Sequence, residues 1–141
     1  LSPLAVFASG STRLDDVVSI KLNVDGASLN NAANALVERL SGRSPNYSHE
    51  TLGTTMQSVE ATYLALVGAK RPLIVSGSGA GVALMRCAAN IARALSDLRS
   101  QACDLVLLPA EDNSVGHALL AAGENTLTTA LAKLATGEMT S

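Results

Sequence analysis

The stretch from Arg71 to Gly81 (Arg-Pro-Leu-Ile-Val-Ser-Gly-Ser-Gly-Ala-Gly) limits what this chain can fold into more than any other part of it. An apolar run following a proline suits a parallel strand covered on both faces. Gly77, Gly79 and Gly81 then allow a sharp turn, and the alanine-rich pattern beyond them reads as a helix whose first N–H groups point outward. Strand, glycine turn and helix form the repeating unit of an α/β fold, and open sheets of that class bind ligands at such turns.

The flanking sequence extends the same pattern. Leu4 to Ala8 is expected to be a short edge strand, and Val17 to Asn23 a second strand rich in β-branched residues. The connector from Ser9 to Asp16 is too short for a crossover helix, so either a hairpin loop or a single helical turn is expected there. After the Asp25-Gly26 turn, Leu29, Ala33, Leu36, Val37 and Leu40 predict a helix from near Ser28, with Gly42 as its stop. A polar loop from Arg43 to His49 precedes a second helix from about Glu50 to Gly68, with Leu52, Met56, Val59, Tyr63 and Leu66 as its buried stripe. The organising strand spans Leu73 to Ser76. Its helix runs from about Ala80 to Leu98, with Leu84, Ala88, Ile91 and Leu95 on one face. Asp104 to Leu108 is expected to be another buried strand, Pro109 to Asn125 a long loop, and Leu127, Ala130, Leu131 and Leu134 the face of a last helix. The prediction is a single α/β domain over 1–141, with a mainly parallel sheet flanked by helices in a Rossmann-like, three-layer arrangement. The chain begins without Met and stops after Thr136-Gly137-Glu138 with no closing strand, so it is expected to be a fragment excised from a larger chain.

Composition excludes several functions. Aromatic residues are only 2% of the chain, too few for a module that stacks bases, and a net charge of -2 gives no attraction for a polyanion, so no nucleic-acid partner is expected. No apolar run is long enough to span a membrane, and Leu1-Ser2-Pro3-Leu4 lacks a signal-peptide layout, so direct membrane insertion is not expected. Cys87 and Cys103 have no Cys or His at metal-ligand spacing. They predict no metal site, and a reduced, cytoplasmic setting.

The motifs that invite a chemical reading are weak ones. Gly77-Ser78-Gly79-Ala80-Gly81-Val82 matches the dinucleotide fingerprint at its first two glycines, but its third glycine stands at 81 and Val82 occupies the last position. Glu111 and Asp112 come about ten residues late for the ribose-binding acid. The glycines around Ser76 and Ser78 do not form a nucleophile elbow, and His49 and His117 lie in loops without an assignable Ser–His–acid set. Asp15 with Asp16, and Glu111 with Asp112, read as solvated loop pairs. Asn113-Ser114-Val115-Gly116 follows a strand and is expected at the carboxyl end of the sheet, where it either braces its own turn or meets a ligand. No catalytic, cofactor-binding or metal-binding residue is therefore assigned.

Taken in order, these segments resemble a known family. Gly68-Ala69-Lys70-Arg71-Pro72-Leu73-Ile74-Val75-Ser76-Gly77, the helix containing Ala88-Ala89-Asn90-Ile91-Ala92-Arg93-Ala94-Leu95, and then Asn113-Ser114-Val115-Gly116 with Ala121-Ala122-Gly123 are similar to the C-terminal region of the large iron–sulfur subunit (the G subunit) of bacterial NADH:quinone oxidoreductase, respiratory complex I. The opening strands with Asp25 before a helix resemble the related stretch of molybdopterin oxidoreductases, where Pro-Gly-Thr-Asp is usual and Leu22-Asn23-Val24-Asp25 keeps only the Asp. The resemblance implies a structural domain that supports electron transfer from NADH to quinone without its own redox centre, and that is inactive alone. Iron–sulfur clusters would lie elsewhere in the parent chain. Its implied partners are other domains of that chain and other complex I subunits, in an assembly peripheral to the inner membrane on the cytoplasmic side. Lys70 to Gly77 also resembles the central domain of thiamine-diphosphate enzymes, and a working molybdopterin oxidoreductase is a further alternative.

Overall fold

The computed structural model describes residues 2–44 and 53–109, together with 133, 135 and 136. The chain divides into two compact units, Leu1–Leu108 and Pro109–Ser141. In the second, Lys133, Ala135 and Thr136 are helical, and the Thr136 hydroxyl donates to the Lys133 carbonyl at 3.1 Å. The expected loop after Pro109, with Glu111, Asp112, Asn113 and His117, lies outside the described residues, as do the rest of the last helix and His49.

The first unit is α/β, with two parallel strand pairs and three helices. Strand β1 (Ala5–Ala8) pairs with β2 (Ile20–Asn23) in the register Ala5 to Ile20 and Phe7 to Leu22. Of the two expected connector forms, the structure has the single helical turn. The Asp15 N–H donates to the Thr12 carbonyl at 3.2 Å, and those of Val17 and Val18 to the Leu14 carbonyl at 3.0 and 3.1 Å. That turn takes up Val17 and Val18, so the strand is shorter than the β-branched run predicts. One face of this pair places Phe7 and Leu22 in the core, while the other carries exposed Lys21 and Asn23.

Helix α1 (Gly26–Leu40) begins where Asp25 caps it. The Asp25 carboxylate accepts from the backbone N–H groups of Ala27 at 2.9 Å and Ser28 at 3.0 Å, satisfying donors that have no partner inside the helix. The helix ends at Leu40, and Gly42 just beyond it, with φ +72°, lets two closing bonds form: Gly42 N–H to the Arg39 carbonyl, and Arg43 N–H to the Glu38 carbonyl. Between these caps Leu29, Ala32, Ala33, Ala35, Leu36 and Leu40 are all buried. Each leucine contributes about 1.5–3 kcal/mol by leaving water. Helix α2 (Gly53–Gly68) packs on α1 and β2 through Val59; of its expected buried stripe Met56, Tyr63 and Leu66 are only half-buried, and Leu52 lies outside the described residues.

Strand β3 (Leu73–Gly77) pairs with β4 (Asp104–Leu108), Val75 opposite Val106. Helix α3 (Val82–Arg99) joins them and lies against both strands and against α1, burying Cys87, Ala88, Ile91, Ala92 and Leu95. Ser96 ties the end of α3 to β4: its hydroxyl donates to the Ala92 carbonyl at 2.8 Å and accepts from the Cys103 N–H at 3.0 Å.

The expectation that β3 and β4 are covered on both faces is corrected here. Ile74 and Ser76 face the core side, but Leu73, Val75, Val106 and Leu108 remain 55%, 54%, 41% and 51% exposed. An unbroken apolar run marks a strand suited to a doubly covered sheet. The described helix that joins this pair lies against the other face and covers it in part, with Leu107 opposite Ser76 still 43% exposed.

Candidate functional site: the glycine turn after strand β3

The turn is built in three steps. Strand β3 leaves the sheet at Gly77 in an extended conformation, Ser78–Ala80 makes one 3₁₀ turn, and Gly81 then opens α3. The Gly81 N–H donates to the Ser78 carbonyl at 2.9 Å. Gly81 has φ +89° and ψ 162°, a region essentially closed to residues with a Cβ, so the turn needs a glycine at this position. Gly77 has an ordinary negative φ, and a Cβ added at Gly77, Gly79 or Gly81 would meet nothing within 4 Å. Of the three glycines, Gly81 is the one held by its backbone geometry.

The serine hydroxyls of the turn are buried. Ser76 is 8% exposed, and the hydroxyl oxygens of both Ser76 and Ser78 are closed off from solvent with no hydrogen-bond partner among the described residues. Among the described residues no side chain caps the start of α3, and the first side chain of the helix is exposed Val82.

The other sequence candidates have structural duties. The Asp15 carboxylate accepts from Lys21 Nζ at 2.6 Å and from the Thr12 hydroxyl at 2.7 Å, and these bonds, the lysine's first, hold its carboxyl below the usual range. Asp15 therefore pins the connector to β2, and Asp16 is exposed beside it. Asp25 also takes a hydrogen bond from the Ser28 hydroxyl at 2.6 Å. That bond and the backbone donors of Ser28 and Ala27 lower its pKa. Burial pushes both thiols up, with neighbouring Asp104 adding to the effect at Cys103, so neither is a ready thiolate. The Cys87 thiol donates to Asn34 Oδ1 on α1 at 3.3 Å. Among the described residues, no three His, Cys, Asp or Glu side chains cluster as metal ligands.

Sequence reasoning missed one constellation. The Arg39 guanidinium on α1 donates to both carboxylate oxygens of Glu60 on α2, at 3.0 and 3.1 Å, and lies 4.1 Å from the centre of the Tyr63 ring. Glu60 and Tyr63 sit one turn apart on α2, a spacing that marks a shared face. Nothing in the sequence, however, indicates which cation they meet. The group joins two helices.

No family model matches the chain. Over 134 residues, 94% of its length, it is 37% identical to the G subunit of the NADH-quinone oxidoreductase of Shewanella oneidensis. It is 36% identical over 122 residues to the G subunit from Pseudomonas putida, and 31% identical over 137 residues to that from Escherichia coli. This chain is homologous to one segment of the G subunit. The segment spans 13–14% of the length of these curated relatives and 85–96% of the present chain. The match to the G subunit thus takes in the capped helix α1 and the glycine turn together. Among the described residues, no helix of the chain is long and apolar enough to cross a membrane.

Proposed function

We propose that this segment is a packing domain of an NADH-quinone oxidoreductase: part of the large G subunit that supports electron transfer from NADH to quinone without carrying a redox centre itself. Iron–sulfur clusters belong, on this reading, to other parts of the parent chain, and the segment alone has no turnover. The observation that carries the proposal is the pairing of a well-built core with an open apolar sheet face, Leu73, Val75, Val106 and Leu108, in a chain whose relatives are about seven times longer. An exposed patch of branched aliphatic side chains marks a surface that other protein covers. The outer side of α2, with Leu64 and Val67 exposed one turn apart, adds to it. The partners are then other domains of the same chain and neighbouring subunits, in a location peripheral to the membrane on the cytoplasmic side.

The test is made in the parent oxidoreductase. Changing Val75→Asp or Val106→Asp places a charge on the open face, where leaving water without a partner is strongly unfavourable. The expected result is less assembled enzyme, with NADH oxidation per assembled complex and the iron–sulfur paramagnetic signals unchanged. Normal assembly with altered turnover or altered cluster signals would overturn the proposal.

A further inference from the structure

We draw no further inference here: the strongest candidate, the open apolar face of the β3–β4 pair formed by Leu73, Val75, Val106 and Leu108, carries nothing beyond the packing role already proposed, because nothing in the structure shows what covers it.

Discussion

Truncating Leu95 to alanine separates the buried from the open side of the β3–α3–β4 unit. Leu95 is fully buried, in a cluster with Leu36, Val59, Cys87 and Ile91. Leu95→Ala removes three carbons from that cluster, about 2.4 kcal/mol at roughly 0.8 kcal/mol for each buried methylene. Incomplete collapse around the space left behind raises the expected loss to about 3–4 kcal/mol. At roughly 4 °C per kcal/mol for a domain of this size, the thermal midpoint should fall by about 12 °C or more. Val75→Ala removes two carbons from a side chain that is already 54% exposed. Its expected effect is within about 1 kcal/mol. The assay is urea and thermal unfolding of the 141-residue chain followed by far-UV circular dichroism, with the wild type and both variants measured side by side. Equal losses in the two variants would refute the assignment of inner and outer faces. A Leu95→Ala midpoint unchanged from wild type would refute the placement of the core itself.

Three further outcomes are expected. The Asp25 carboxyl has a pKa lowered by folding, so its contribution is fully present above the ordinary carboxylate pKa and is lost as pH falls through the lowered value. Asp25→Ala should therefore weaken the chain at neutral pH and flatten the acid limb of its urea midpoint against pH, whereas Asp25→Asn should keep the cap and lose only the titration. Ser100 closes α3 in the left-handed region at φ 51°, so Ser100→Gly should raise stability by about 0.5 kcal/mol, read as a thermal midpoint about 2 °C higher. NAD, NADP, FAD, thiamine diphosphate and guanine nucleotides should leave the melting temperature unchanged. A true site saturated at 100 times its dissociation constant would add about 2.7 kcal/mol, so a shift of several degrees with any one of them would send attention back to the Gly77–Gly81 turn.

The parts of the fold governed by local chemistry are legible in the sequence. Helix α1 is announced by a periodic apolar run after the Asp25-Gly26 turn and closed by Gly42; the structure starts it at Gly26 rather than near Ser28, and buries Ala32 and Ala35 while Val37 is only half-buried. The strand–turn–helix unit around Gly77 to Gly81 is equally plain. Which of its glycines is indispensable is not, because composition does not reveal that Gly81 alone among them has a positive φ. The parallel pairing of β1 with β2 is hidden because the connector has no crossover helix to announce it. The Arg39–Glu60 contact is hidden for another reason: it joins residues on separate helices, 21 positions apart, and no local pattern encodes such a meeting. Sequence overstates the burial of β3 and β4. An apolar strand records what a sheet is suited to pack against, while exposure depends on which neighbours are at hand. The candidate site shares that limit, since the spacing of Ser76 and Ser78 gives no sign that their hydroxyls turn away from solvent.

Helix α1 is thin where it matters. Ala32 and Ala35 are fully buried and Ala33 nearly so, on a helix that touches α2, α3 and β1. With only methyl groups at these positions, α1 acts as a spacer whose narrow girth sets how far apart its neighbours lie. A valine at position 35 would have to push one of those neighbours outward, because a close-packed interior has no slack to absorb the extra carbons. The exposed aliphatic surfaces on α2 and on β3 and β4 would be carried along with the elements that bear them. If the segment packs into a larger assembly as proposed, a defect in fitting it there can originate at a residue inside its own core, simply by changing the gauge of the frame on which the exposed surfaces are mounted.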